Sequence, residues 1–301
     1  MTDKRLYHVN GDLVPASEAT ISVDDRGFRY GDAAFETMRA YGGTIFAWDR
    51  HCERLERTCE SLSLEHGLSN DDLHARIDKT LAANELSDAY VRLSITRGVQ
   101  PGKLTPQPDV DPTVVIYVSP LPRGGLEGKS VWDKPATVQS VETKRIPTEA
   151  LPAAAKTHNY LNGILARAEL QHGDVSADEA LMLDCAGHIA EGATSNVFFV
   201  QDGVLHTPSL EGDVLPGITR EIVLEEAADA GIETQTGSYE GDRLYQATEA
   251  FLTNRTWELR PIATLDGYSI GGGPMTAQLR RHYAERVEAR CYRGADSTEI
   301  R

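Results

Sequence analysis

Apolar and polar positions follow two different periods along this chain. Between Ala89 and Arg97 the period is two: Val91, Leu93 and Ile95 share one side of an extended segment, while Tyr90, Arg92, Ser94 and Thr96 share the other. From Trp48 to Leu62 it lengthens, with Trp48, Cys52, Leu55, Cys59 and Leu62 recurring at alternating spacings of four and three, which predicts an amphipathic helix. A second helix is predicted over Asp71 to Ala83, with Leu73, Ile77 and Leu81 on its apolar face and Ser69 or Asn70 as its cap. Asn10-Gly11-Asp12 between Leu6–Val9 and Leu13–Val14 predicts a hairpin, and Gly42-Gly43 between Phe35–Tyr41 and Thr44–Phe46 predicts another. The β-branched run Thr113 to Val118 predicts a short buried strand.

Periodicity then breaks at Ser119-Pro-Leu-Pro-Arg-Gly-Gly, which divides the chain into a small domain over 1–118, a linker over 119–129 and a larger domain over 130–301. The second part opens with strand-like segments and a helix from about Asn159 to Gln171. Three strands follow, Glu179–Asp184, Ser195–Val200 and Val204–Thr207, the last two joined by Gln201-Asp202-Gly203. Leu215-Pro-Gly-Ile-Thr-Arg leads into a helix carrying Ile222, Val223 and Ala227, which stops at Gly231. A last helix fits Thr276 to Ala289. Strands and helices interleave without a regular βαβ count, so the class expected is α+β.

Composition narrows the function. A net charge of −16 speaks against nucleic acid as a partner, because phosphate contacts need clustered cations. The 30 basic residues include only seven lysines, and an acidic, lysine-poor surface suits a halophilic source. No run of about eighteen apolar residues is present, and the first dozen residues lack the apolar stretch of a leader. The expectation is a cytoplasmic protein away from the membrane. Cys52, Cys59, Cys185 and Cys291 show no metal-ligand spacing and are expected to be reduced thiols.

With few lysines, Lys156 stands out. It follows Leu151-Pro-Ala-Ala-Ala, and apolar surroundings lower the pKa of an amine and free it for imine formation. A solvated lysine ahead of a helix would look the same. Glu191, in His188-Ile-Ala-Glu-Gly-Ala, is an acid at a strand end within an apolar stretch. Gly217-Ile218-Thr219 opens a helix, where free N–H groups and the dipole attract phosphate. Arg54, on the helix from Trp48, could clamp the same anion, although a surface arginine beside Glu53 fits the pattern equally well. An activated amine, an acid for a pyridine nitrogen and a phosphate cradle are the parts that pyridoxal-phosphate (PLP) chemistry requires.

In this order the segments resemble the class IV aminotransferases, the fold-type IV group of PLP enzymes. Arg26-Gly-Phe-Arg-Tyr-Gly-Asp-Ala-Ala-Phe-Glu is similar to the family's N-terminal block, and His51-Cys-Glu-Arg-Leu to its phosphate-arginine helix. Lys156-Thr-His-Asn-Tyr-Leu-Asn is similar to its lysine segment. Glu179-Ala-Leu-Met-Leu-Asp with Glu191-Gly-Ala-Thr-Ser-Asn-Val-Phe is similar to its glutamate block, and Thr207-Pro and Leu215-Pro-Gly-Ile-Thr-Arg complete the series. The resemblance implies a smaller N-terminal α/β domain, a larger C-terminal domain rich in strand, and a homodimer. It implies Lys156 as the Schiff-base lysine and proton shuttle, Tyr160 on the cofactor's phenolic oxygen and Glu191 on its pyridine nitrogen. Arg54, Ile218, Thr219 and Thr256 are implied around the cofactor, and Tyr30, Tyr90, Arg92 and Arg255 on the substrate side.

The branch within the family is left open by particular residues. Phe35-Glu36-Thr37 stands where branched-chain enzymes carry Phe-Glu-Gly, and Thr253-Asn-Arg-Thr where they carry Gly-Thr-Ala. The lysine segment is also shorter than theirs. These departures lean toward aminodeoxychorismate lyases and D-amino-acid aminotransferases, yet Pro101-Gly-Lys-Leu replaces the Arg-x-His clamp of the latter. The leading expectation is a ping-pong aminotransferase acting on an amino acid, L-glutamate or a branched-chain one, and a 2-oxo acid. Aminodeoxychorismate lyase is the alternative and D-amino-acid transamination the third.

Overall fold

The computed structural model describes residues 5–107, 110–121, 134–171 and 176–292. They fall into two compact units: Met1–Arg123 with Ala155–Asn159 and Cys291–Arg301, and Gly124–Ala154 with Tyr160–Arg290. The first holds β1 (Leu6–Val9), β2 (Asp12–Pro15), α1 (Arg26–Tyr30), β3 (Ala33–Tyr41), β4 (Thr44–Ile45), α2 (Trp48–Ser61), α3 (Asn70–Ala83), β5 (Ala89–Thr96) and β6 (Thr113–Pro120). The second holds β7 (Ala136–Ser140), α4 (Leu161–Glu169), β8 (Glu179–Leu183), β9 (Ile189–Gly192), β10 (Asn196–Gln201), β11 (Val204–Pro208), α5 (Ile218–Asp229), β12 (Thr234–Gly237), β13 (Glu249–Asn254), β14 (Glu258–Leu265), β15 (Tyr268–Ser269) and α6 (Pro274–Val287). Both units mix helix and sheet, the α+β class that the pattern predicts.

In the first unit the strands pair antiparallel in the order β2-β1-β6-β5-β3-β4. The Asn10-Gly11 turn works because both residues take positive φ, 51° and 106°, as a type I′ hairpin requires. Alternation sorts the sheet into two faces. Met38, Val91, Leu93, Ile95, Ile116 and Val118 meet Leu55, Cys59, Leu73, Ile77 and Leu81 of α2 and α3 in one dry core. Ser69 and Asp72 close a capping box at the start of α3, worth about 1 kcal/mol. The opposite face carries Phe35, Tyr90, Arg92, Ser94 and Tyr117, which lie side by side by register: Phe35 opposes Ser94, and Arg92 opposes Tyr117. His8 on β1 is fully buried, with neither ring nitrogen hydrogen-bonded.

The domain division read from the sequence differs from this one. β6 runs to Pro120, past the expected boundary, and residues 122–129 of the expected linker lie outside the described residues. Lys156 groups with the first unit, where the N–H of Phe35 donates to Lys156 O at 3.0 Å and the N–H of His158 to Ala33 O at 3.0 Å. Residues 156–158 thus occupy the edge of β3, with Ala34 bridging Thr157. Local periodicity carries no trace of such a long-range pairing.

The second unit is built on nine strands, in the order β12-β11-β10-β13-β14-β7-β8-β9, with β15 beside β14. β7 pairs parallel with both β14 and β8, and β11 parallel with β12, so the sheet is mixed. The expected helix over Asn159–Gln171 is α4, shortened at both ends, and Thr276–Ala289 is realised as α6, two residues earlier.

Candidate active site

In the first unit the site is built around Lys156. Its backbone N–H donates to Thr58 Oγ1 of α2 at 3.0 Å, and its Nζ lies 4.5 Å from the centroid of the Phe35 ring. The Arg92 guanidinium lies 3.8 Å from the same centroid, and the His158 ring meets Phe35 edge-on at 5.6 Å. Alternation along β3 explains the arrangement: Phe35 faces away from α2, so Glu36 faces α2.

Glu36 is buried there and accepts from His51 Nδ1 at 2.7 Å, Arg54 Nε at 2.8 Å and Arg54 Nη2 at 2.6 Å. Burial pushes its carboxyl upward, but the Arg54 and His51 charges outweigh that and hold it well below the usual carboxylate range. His51, Arg54 and Thr58 share one side of α2 by their spacing of three and four. Arg54 therefore sits one helical turn, about 6 Å along the axis, from the residue that anchors Lys156. It is buried at 4% exposure, not the surface arginine that the sequence also allowed.

The other first-unit candidates are placed as follows. Tyr90 stacks on Tyr117 with centroids 5.9 Å apart, and Tyr117 opposes Arg92, so both adjoin the Lys156 group. Tyr30 is the last residue of α1. It lies between the guanidinium groups of Arg26 and Arg29, with its hydroxyl 3.4 Å from Gly102 O.

In the second unit Glu191 lies on β9 opposite Met182 and is 6% exposed. Arg145 Nε donates to its Oε1 at 2.7 Å, while Asn196 Nδ2 and the Leu215 N–H each donate to Oε2 at 3.1 Å. The carboxylate is thereby fixed in direction. Asn196 also donates to Leu215 O at 3.0 Å, which ties Glu191 to the loop that begins α5. Gly217, at the N-cap of α5, leaves no room for a side chain, since a Cβ would stand 1.9 Å from Asn196 Oδ1. The helix has no side-chain cap, Ile218 and Thr219 of its first turn are buried, and Thr219 Oγ1 is buried with no hydrogen-bond partner. A helix start with uncapped N–H groups and an orphaned hydroxyl fits a phosphate, and a fixed acid nearby fits a pyridine nitrogen, so these residues fit PLP.

Tyr160 caps α4 half-buried, its carbonyl accepting from the Ile164 N–H at 3.0 Å. Thr256 lies in the turn after β13, its N–H donating to Asn254 Oδ1 at 2.9 Å, and Asn254 in turn reaches Thr194 O in the Glu191 loop at 3.3 Å. Arg255 points inward, and its Nη1 donates to the Tyr283 hydroxyl of α6 at 2.8 Å. Arg145, Asn196, Ser94 and His158 escape a reading of the sequence. Asn196 and His158 lie within the matched glutamate and lysine segments, while Arg145 and Ser94 become neighbours of those segments only through long-range pairing.

The class IV amino-transferase family model matches residues 33–265. A Methanocaldococcus jannaschii protein with the provisional name branched-chain-amino-acid aminotransferase is 34% identical, over 92% of this chain and 95% of its own. The aminodeoxychorismate lyase of Bacillus subtilis is also 34% identical, over 94% and 95%. Among solved structures, the branched-chain amino acid aminotransferase of Thermobaculum terrenum, in its PLP-bound holo form, superposes with a TM-score of 0.83 at 28% identity over 97% of each chain. The chain belongs to the class IV aminotransferase family, whose members are PLP-dependent enzymes.

Proposed function

We propose that this enzyme transfers an amino group between an amino acid and a 2-oxo acid in two half-reactions, with L-glutamate or a branched-chain amino acid as donor. The observation that carries this reading is Arg92. Among the described residues this half-buried guanidinium has no acidic partner, and it shares the Phe35 ring with the Lys156 amine. A substrate carboxylate bound there would hold Cα within reach of Lys156. Tyr90 lines the same substrate side in this reading, and the resemblance assigns Tyr30 and Arg255 to it as well, Arg255 being buried and also tied to Tyr283 of α6.

PLP, when bound, supplies an electron sink for the pair left on Cα when its proton departs. Lys156 Nζ would hold the cofactor's aldehyde carbon and would serve as the base that takes up and returns the substrate's Cα proton. Glu191, aimed by Arg145 and Asn196, holds the pyridine nitrogen. Tyr160 binds the phenolic oxygen. Ile218, Thr219 and Thr256 would hold the phosphate, a role that the resemblance gives Arg54 as well, and Glu36 keeps Arg54 in direction. The protein is assigned to the cytoplasm, a reducing compartment that suits buried thiols such as Cys52 and Cys59. It is assigned as a homodimer, for which the exposed stripe Leu161, Ile164 and Leu165 on α4 offers apolar contact area. Among the described residues no helix is long and apolar enough to cross a membrane.

The visible spectrum tests the reading. Addition of L-glutamate or a branched-chain amino acid to the PLP-loaded protein should collapse its yellow band, and a 2-oxo acid should restore it. A band unmoved by any amino acid would sink it. One observation favours aminodeoxychorismate lyase as the second reading: Thr37, where branched-chain enzymes carry glycine, opposes Arg92 across β3 and β5. Release of p-aminobenzoate from aminodeoxychorismate above a no-enzyme control would establish that activity.

A further inference from the structure

The face of Arg92 toward Ser94 carries an arrangement that the proposed chemistry does not itself require. Arg92 Nε donates to Ser94 Oγ at 3.4 Å, and Ser94 Oγ lies 3.2 Å from His158 Nε2. The two contacts constrain each other. A guanidinium can only donate, so Ser94 Oγ accepts from Arg92 and its own proton is left to give. Among the described residues the partner on that side is His158 Nε2, which takes that proton in the tautomer whose own proton sits on Nδ1.

The backbone puts His158 there for a reason. Residues 156–158 line the edge of β3, so Lys156 and His158, two apart, send their side chains to the Phe35 side. Thr157, between them, is buried at 4% exposure. Both neighbours touch Phe35, at 4.5 and 5.6 Å from its ring centroid. Burial, seconded by the Arg92 charge and opposed by Asp25, pulls the His158 imidazole down to about 4, so it is neutral at working pH and has a ring nitrogen able to accept.

We propose that Ser94 and His158 are positioning residues for Arg92. They form a one-way hydrogen-bond chain, Arg92 to Ser94 to His158, that holds the guanidinium against Phe35 beside Lys156 and presents it to a substrate carboxylate. The proposal rests on the reading of Arg92 as a substrate-side cation. It couples the segment that carries the reactive amine to the group that orients the substrate, through side chains lying 64 positions apart in the chain.

The test is calorimetric binding of 4-methylpentanoate, a carboxylate with no amino group, to the PLP-loaded protein. Ser94→Ala and His158→Leu should each weaken it on the order of tenfold, the effect of one lost hydrogen bond to a charged group. The absorption band and thermal midpoint should stay unchanged. His158→Gln, whose amide oxygen can accept from Ser94, should bind within about threefold of wild type by the same bookkeeping of a retained bond. Unaltered binding in His158→Leu would overturn the proposal. So would weak binding in His158→Gln equal to that of His158→Leu, loss of the band together with affinity in both single variants, or failure of the wild-type protein to bind the acid. Tight binding with the expected variant pattern, but no amino-group transfer, would uphold the chain and overturn the aminotransferase reading alone.

Discussion

Replacing Glu36 by glutamine tests the buried pair beneath the lysine. The carboxylate is 1% exposed and receives three bonds of 2.6 to 2.8 Å, two from Arg54 and one from His51. Glutamine keeps one acceptor oxygen but turns an amide N–H toward at least one donor, and the guanidinium is left without its counter-charge. Removing one partner of a buried ion pair costs about 3–5 kcal/mol. At roughly 2–4 °C per kcal/mol for a chain of this size, the thermal midpoint should fall by about 6–20 °C. Glu36 has a folded pKa below its unfolded value of 4.5, so its contribution is fully present above pH 4.5 and is lost as pH falls toward the folded value. The gap between wild type and variant should therefore be constant near neutrality and close in acid. The double variant Glu36→Leu, Arg54→Met removes both charges and should recover most of the loss, yet hold PLP poorly because the proposed phosphate arginine is gone. Differential scanning fluorimetry from pH 8 to 3 reads all of this. A drop smaller than about 2 °C at neutral pH, or a gap that widens in acid, would refute the reasoning.

Three further outcomes follow from the same geometry. Gly217→Ala places a Cβ where Asn196 Oδ1 stands, at 1.9 Å, so Asn196 must leave Glu191, and fluorescence titration should show PLP binding at least about tenfold weaker. Thr219→Val removes a buried hydroxyl that lacks a partner, so the PLP-free protein should be as stable as wild type or slightly more so, while PLP affinity falls about tenfold or more; a loss of PLP-free stability above about 1 kcal/mol in urea would count against the phosphate role. His8 has its pKa lowered by burial, with Arg76 and Lys79 adding to the effect, so its neutral form is the folded one. Stability from this group is present above about pH 6.5 and is lost as pH falls below it, and His8→Leu should flatten the urea-midpoint profile between pH 6.5 and 5.

Much of this organisation is legible before folding where it depends on near neighbours. The two-residue alternation of β5 places Tyr90 and Arg92 together, because strand geometry is local. The spacing of α2 brings His51, Arg54 and Thr58 to one side for the same reason. The glutamate that binds Arg54 is 18 positions away, and the arginine that aims Glu191 is 46 away. No periodicity links such pairs, since tertiary packing alone chooses among the many acids and bases of one chain. Local pattern does not fix which way Arg255 points, and Tyr283, 28 positions on, decides it. β13 and β14 escape the pattern because both are buried on most positions, so their runs do not alternate.

The docking of Lys156 on β3 bears on how the protein could be taken apart or recombined. By contacts, the chain changes unit after residues 123, 154, 159 and 290. A single cut cannot separate the units, and a fragment ending before residue 154 would carry the β3 edge without the strip that covers it. Swapping the N-terminal part for that of a relative would pair one parent's Phe35 and Arg92 with the other parent's lysine segment. In a family with this topology, hybrids should retain function only when residues 155–159 travel with the sheet they line. Selection would then preserve the two stretches as one inherited block, despite more than a hundred intervening residues.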